Sequence, residues 1–212
     1  MASWNPILFD MDGTLVDSAP AISARLRETL EHFGVTPPDE AGIRLLIGPP
    51  TGSSLLTFVG PERVDEANAF YKTLSKRDGL AHQELFPEVD RLLATLVEAG
   101  IPLGVSTSKP QREAVKTAEH FGIASYFTAL VGSSSARPTK SAVVGETLAQ
   151  LQAIAHSPTP IMVGDRSFDI EGAAEHNVPT VLVRWGYAAP EEELSALAGV
   201  DTIDELLTFL VG

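Results

Sequence analysis

The sequence predicts an α/β fold: a doubly wound parallel sheet with helices on both faces and a small all-helical block inserted after the first strand. Three observations carry that prediction. From Pro87 onward, short apolar runs alternate with amphipathic stretches of about 10 to 15 residues, the pattern of strands joined by crossover helices. Between Asp17 and about Leu85 no run reads as a convincing strand, and apolar residues recur at helical spacing instead. Ahead of that block stands a lone apolar run, Ile7-Leu8-Phe9, so the insertion separates the first strand from its partners. The expected division is a core of residues 1–16 and 86–212 and a helical cap of residues 17–85.

The first strand ends abruptly in Asp10-Met11-Asp12-Gly13-Thr14. Positions i and i+2 of a strand face the same way, so a strand persisting through Asp12 would put both acids in one small space. Like charges that close repel and raise one pKa unless a cation or a proton lies between them. A strand followed by a plain Asp-Gly turn is the alternative. Leu15 to Ser18 reads as a turn, and Pro20 suits the first turn of a helix running to about Phe33, closed by Gly34. Glu40 to Ile47, Ser53 to Val59 and Glu62 to Arg77 read as further helices, separated by Gly48-Pro49-Pro50 and Gly60-Pro61.

Glu88 to Ala99 is an amphipathic helix ended by Gly100, and Pro102 to Val105 a strand that runs into Ser106-Thr107-Ser108-Lys109-Pro110. Helix Gln111 to Phe121, strand Ala129 to Val131, helix Thr139 to Gln152, strand Ile161 to Val163, helix Phe168 to His176 and strand Thr180 to Val183 follow. Trp185 and Tyr187, past that strand, are read as packing residues or as an edge of the site.

Composition limits what such a fold can serve. With 28 acidic and 15 basic residues among 212, the net charge of -13 opposes nonspecific binding to nucleic acid or to an anionic membrane. It does not oppose a small phosphorylated substrate whose site carries its own cations. Cysteine is absent, which excludes disulfides and thiolate zinc sites. The start lacks a signal-peptide pattern, and no stretch approaches the ~20 apolar residues of a membrane span. A cytoplasmic protein, monomeric or homodimeric, is the expectation. The five histidines are scattered without ligand spacing and are given no chemistry.

In parallel α/β sheets, ligands bind beyond the carboxyl ends of the strands. Here those ends are polar and specific in type. The first delivers Asp10 and Asp12, the second Ser106 to Lys109, the third Gly132 and a serine-rich loop leading to Arg137 and Lys140, and the fourth Gly164-Asp165-Arg166-Ser167-Phe168-Asp169. Acids, hydroxyls and a cation at one edge describe an oxygen-ligated divalent metal such as Mg2+ beside a phosphate. Each residue has a plainer reading. Thr107 and Ser108 could cap the helix after Pro110, Lys140 could be a solvated first-turn residue, and Asp165 and Asp169 a cap and an exposed acid. Against those readings stands the expectation that all of these residues follow the ends of four strands in one sheet.

These residues resemble the haloacid dehalogenase-like hydrolases over nearly the whole chain. Asp10-Met11-Asp12-Gly13-Thr14 looks like the first motif of that family, Thr107 at the end of an apolar strand like the second, Lys140 like the third, and Gly164-Asp165 with Asp169 like the fourth. The helical block is similar to the cap of phosphoglycolate-phosphatase-like members. Ile47-Gly48-Pro49-Pro50 and Arg184-Trp185-Gly186-Tyr187 resemble phrases of the phosphoglycolate phosphatases and 5'-nucleotidases. Many relatives carry Lys-Pro where this chain has Arg137-Pro138, so the lysine role rests on Lys140, with Arg137 as substitute or helper.

The resemblance implies a Mg2+-dependent phosphatase acting on a small phosphomonoester. Asp10 is then the nucleophile and Asp12 the acid and base, with Thr107, Ser108 and Lys140 on the phosphate. The metal is held by Asp10, the Asp12 carbonyl and Asp165, with Asp169 as a further ligand or as a partner that supports the ligands. A phosphosugar mutase shares the same core, and a phosphoaspartyl signalling module joins similar residues without turnover. Both stay open, whereas a halide-releasing enzyme has no need of Asp12 or of the metal site. Arg44, Gly48-Pro49-Pro50, and Lys72 or Lys76 are the candidates for the substrate edge of the cap.

Overall fold

A computed structural model of the protein describes residues 4–49, 51–152 and 159–212. Pro50 and His156 lie outside the described residues. The chain falls into two compact units, one made of residues up to Val16 together with Leu85–Gly212, the other of Asp17–Glu84.

Strand β1 (Ile7–Phe9) opens the first unit, and the chain leaves it through a two-residue strand, β2 (Val16–Asp17). Four helices make the second unit: α1 (Ala19–His32), α2 (Glu40–Leu45), α3 (Thr51–Val59) and α4 (Val64–Asp78). Pro20 sits in the first turn of α1, where its missing N–H leaves no orphan. Leu26, Leu30 and Phe33 of the α1 segment pack with Ile43, Leu55, Val59, Ala67 and Tyr71 into a core private to this unit. Helix α2 ends two residues earlier than its sequence suggests, because the chain turns through Leu46 toward Gly48 at φ +112°, in the left-handed region. Arg25, 6% exposed, donates to the Asp78 carboxylate at 3.3 Å and to the Gly79 carbonyl at 2.8 Å, tying α1 to the end of α4.

The chain returns through β3 (Glu84–Leu85), which pairs with β2 in a two-stranded sheet. The turn expected at Leu15 to Ser18 and the strandless insertion are both corrected by this ribbon. Two residues per strand are too few to show a period of two in sequence.

In the first unit follow α5 (Val89–Glu98), β4 (Leu103–Pro110), α6 (Gln111–His120), β5 (Ala129–Ser133), α7 (Lys140–Gln152), β6 (Ile161–Gly164), α8 (Ser167–Ala174), β7 (Thr180–Val183), β8 (Ala198–Val200) and α9 (Ile203–Val211). Six strands pair in the order β5-β4-β1-β6-β7-β8, all parallel. Strand alternation sends Ile7, Phe9, Leu103, Val105, Ile161 and Val163 to one face, where they pack with α5 and α9 residues such as Leu92 and Leu206. Leu8 and Met162 go to the other, against Val144, Leu148 and Leu151 of α7 and Ala173 of α8. Helices on both faces make the sheet doubly wound.

Strand β4 is longer than its apolar run predicts. It stays paired with β5 through Thr107 opposite Gly132 and resumes at Pro110 opposite Ser133, with an irregularity between. The sixth strand and α9 lie beyond the last element read from the sequence. Their signal is there: Thr202 accepts from the Glu205 N–H at 3.2 Å as a helix cap, and Ile203, Leu206, Leu207 and Leu210 are the buried face.

Candidate active site

The chain runs from β1 outward to β4 and β5, then returns to β6 on the other side of β1. The crevice between the carboxyl ends of β1 and β6 is therefore the switch point of the sheet. Phe9 is in register with both Val105 and Val163, so the residues just after them come to one level. Asp10 follows β1, Thr107 lies on β4, Asp165 follows β6, and Asp169 is in the first turn of α8. Lys140, the first residue of α7, reaches the same place.

The β1 ladder ends before the acids do: the Asp10 N–H still donates to the Val163 carbonyl at 2.9 Å, but residues 11–16 fold back in a tight loop with the Leu15 and Val16 N–H groups on the Met11 carbonyl. Asp10 and Asp12 are therefore not simple strand neighbours, and each carboxylate has its own lysine. Asp10 Oδ1 lies 2.7 Å from Lys140 Nζ, and Asp12 Oδ2 lies 2.9 Å from Lys109 Nζ. Among the described residues, the other Asp12 oxygen, Oδ1, is buried without a hydrogen-bond partner. In the sequence Lys109 stands only as part of the polar strand end. Its pairing depends on the irregular end of β4, which no local pattern announces.

Asp165 is fully buried, with Oδ1 accepting from the Thr14 hydroxyl at 3.3 Å and Oδ2 from the Tyr187 N–H at 2.9 Å. Gly13, at φ +88°, and Gly186 press against it, and a Cβ on either would collide with the aspartate. Asp169, 2% exposed, divides its oxygens. Oδ2 accepts from the N–H groups of Asp165 and Arg166 at 3.1 and 3.0 Å, while Oδ1 pairs with Lys140 Nζ at 2.6 Å. It thus caps α8 and neutralises the lysine at once, which corrects the plainer reading of an exposed acid.

Carboxylate oxygens of Asp10, Asp165 and Asp169 all lie within 4.8 Å of one another. The Asp12 carboxylate is turned to Lys109 and stands outside this cluster. Burial pushes the Asp10 carboxyl up to about 6 against the pull of Lys140, with Asp169 and Asp12 adding repulsion. Burial, Asp169 and Asp10 hold Asp165 well above the usual carboxylate range. Burial alone would lower Lys140, but Asp10 and Asp169 keep it above the ordinary lysine value and hence charged. Asp10 and Asp169 share one lysine beside a third buried acid, Asp165, so acidic groups crowd the site, and their hard oxygen donors suit a divalent cation.

Thr107 is 1% exposed and its hydroxyl accepts from the Lys109 N–H at 3.2 Å; helix α6 begins at Gln111, preceded by Pro110 and without a side-chain cap, so Thr107 and Ser108 are not capping it. Ser108 is half-buried, and its carbonyl accepts from the Ser133 hydroxyl at 2.8 Å. Arg137 donates to the Gly132 carbonyl at 3.3 Å and to Gln111 Oε1 at 3.2 Å, which serves the β5 end rather than the acids. The Trp185 indole donates to the Thr14 carbonyl at 3.1 Å, tying the loop after β7 to the first motif. Arg44, exposed in the last turn of α2, and Gly48 belong to the second unit.

A doubly wound sheet with an aspartate cluster and a lysine at its switch point is the arrangement that the resemblance to the haloacid dehalogenase-like hydrolases implies. The sequence profile of the haloacid dehalogenase-like hydrolases matches residues 7–183. The chain is 37% identical over 209 residues to the Mycobacterium tuberculosis protein named tyrosine-protein kinase PtkA, covering 94% of this chain and 70% of that protein. It is 34% identical to a 5'-nucleotidase of Pseudomonas aeruginosa, covering 90% and 86%, and 31% identical to a phosphoglycolate phosphatase of Rhodospirillum rubrum, covering 94% and 88%. Among solved structures, a haloacid dehalogenase-like hydrolase from Streptococcus pneumoniae superposes with a TM-score of 0.90 at 31% identity, covering 98% of both chains. The chain belongs to the haloacid dehalogenase-like hydrolases, as an enzyme of their phosphatase type.

Proposed function

We propose that the protein is a Mg2+-dependent phosphatase that hydrolyses a small phosphomonoester, such as 2-phosphoglycolate or a nucleoside 5'-monophosphate, through an aspartyl-phosphate on Asp10. The observation that carries this reading is the buried Asp10 carboxylate, held at 2.7 Å by Lys140 beside Asp165 and Asp169. The relatives named phosphoglycolate phosphatase and 5'-nucleotidase support the substrate class.

Asp10 attacks phosphorus in line, forming the Oδ–P bond as the bond to the substrate alcohol breaks. Asp12 gives its proton to the leaving oxygen, then takes one from the water that cleaves the acyl-phosphate. Lys140, Thr107 and Ser108 hold the oxygens of the transferring group. Asp10, the Asp12 carbonyl, Asp165 and Asp169 would hold Mg2+, which supplies the charge that lets a carboxylate approach a phosphate dianion. Residues 17–85 act as the cap, and Arg44 and Gly48 with Lys72 or Lys76 set substrate choice.

The test is phosphate release from a panel of monophosphates with and without millimolar Mg2+. Hydrolysis of at least one member that requires Mg2+ is expected; failure with every member would overturn the phosphatase reading. The relative named tyrosine-protein kinase favours a second reading, in which a tyrosine hydroxyl takes the phosphoryl group. Labelled ATP with a tyrosine peptide in the same panel separates the two by whether label ends on the peptide or in inorganic phosphate.

Mg2+ binding is also expected to depend on pH. The folded-state value of Asp10 is raised, so protons stabilise the metal-free fold. That stabilisation is complete below the ordinary aspartate pKa and is lost as the pH rises through about 6. Millimolar Mg2+ should therefore raise Tm more at pH 7.5 than at pH 5, as thermal melts would show. An equal increment at both values would contradict the assignment of Asp10 as a ligand.

A further inference from the structure

We infer that Glu175 and His176, just past the end of α8, position Lys140 by clamping the first turn of α7; this rests on the reading of Lys140 as the cation that holds the transferring phosphoryl group. Lys140 opens α7, where a positive charge opposes the helix dipole and a four-carbon stem has rotamers to spare. Its Nζ nevertheless sits between Asp10 Oδ1 at 2.7 Å and Asp169 Oδ1 at 2.6 Å. That placement requires the α7 backbone to be fixed relative to α8, and α8 fixes it at two points.

The first is Gly172, where a Cβ would come 2.7 Å from Lys140 Cγ and 3.1 Å from the Ser141 nitrogen, so the α8 backbone lies directly against the lysine stem. The second is one turn further on. His176 Nε2 lies 2.8 Å from the Ser141 carbonyl oxygen and 3.2 Å from its hydroxyl, which donates to Glu175 Oε2 at 2.6 Å. A carbonyl only accepts, so Nε2 carries the proton of this bond. The imidazole lies against Gly145, where a Cβ would come 2.8 Å from Cε1. The contacts are reciprocal: a glycine near the end of α8 receives Lys140 of α7, and a glycine of α7 receives His176.

The turn that ends α8 aims the imidazole. Asn177 is left-handed at φ 58°, and the Val178 N–H donates to the Ala173 carbonyl at 3.1 Å, which buries Val178 and leaves His176 facing α7. Neither Glu175 nor His176 touches the aspartate cluster. They act through the α7 backbone, as groups that support a catalytic side chain do when small displacements are costly.

His176→Leu keeps the bulk and removes the donor; His176→Gln returns an amide N–H. With p-nitrophenyl phosphate and Mg2+, His176→Leu should lower kcat about tenfold with KM within about twofold of wild type. The Gln variant should recover most of that loss, with both melting within about 4 °C of wild type. In a Lys140→Ala background, His176→Leu should cost nothing further, since the clamp acts through Lys140. Wild-type kcat in His176→Leu, no recovery in His176→Gln, or an equal loss with and without Lys140 would overturn the clamp while leaving Lys140 its role. Wild-type turnover in Lys140→Ala alone would remove that role, and the clamp with it.

Discussion

Asp10→Asn is expected to abolish turnover of every monophosphate that the wild-type protein hydrolyses, a fall of at least about 10^4-fold in kcat. The amide is nearly isosteric with the carboxylate and can still accept from Lys140, so the site keeps its shape. What it loses is the anionic oxygen that attacks phosphorus. Stability should move the other way. Asp10 is buried beside Asp169 and Asp12, and burial with their repulsion raises its pKa to about 6. Removing that charge relieves repulsion, so the metal-free variant should melt at or above the wild-type temperature at pH 7.5. A variant that is inactive because it is unfolded would show the opposite, and parallel melts and phosphate-release assays distinguish the two.

Lys140→Ala should damage both chemistry and fold. The lysine is held at 2.7 and 2.6 Å by two buried carboxylates, and its side chain is 8% exposed. Without it those acids keep their burial and their mutual repulsion. Breaking one partner of such a buried pair costs about 3–5 kcal/mol. The loss should be largest above pH 7 and should shrink toward pH 5, where protonation of Asp10 takes over the neutralising role. Mg2+ should restore part of the stability but little of the activity. Loss of a group that stabilises charge on the transferring phosphoryl group is expected to lower kcat by about 10^2 to 10^3. A variant that melts like wild type without metal would contradict the electrostatic account of the cluster.

The core of this architecture was readable because each strand is an apolar run ending in polar residues, and parallel pairing brings those ends together whatever the loops do. Asp10, Lys140, Asp165 and Asp169 converge on that principle alone. Features that depend on a local irregularity or on very few residues were not readable. The Lys109 partner of Asp12 rests on the irregular end of β4, and the ribbon of β2 and β3 has two residues per strand. The double duty of Asp169 needs the α8 N–H groups to point at it, a three-dimensional fact with no sequence period. The final strand and α9 carry a cap and a periodic apolar face, so their signal lay in the sequence beyond the last element assigned. Substrate choice is the least legible part, because residues such as Arg44 and Gly48 take their meaning from a ligand rather than from a pattern.

The central claim is that Asp10 carries the phosphoryl group, and trapping that adduct tests it most directly. Protein turning over p-nitrophenyl phosphate with Mg2+ is quenched and reduced with borohydride, which converts an acyl-phosphate to an alcohol, and the peptides are read by mass spectrometry. The predicted result is homoserine at position 10 and aspartate elsewhere. Steady hydrolysis with aspartate intact at position 10, or homoserine at position 12, 165 or 169 instead, would contradict it.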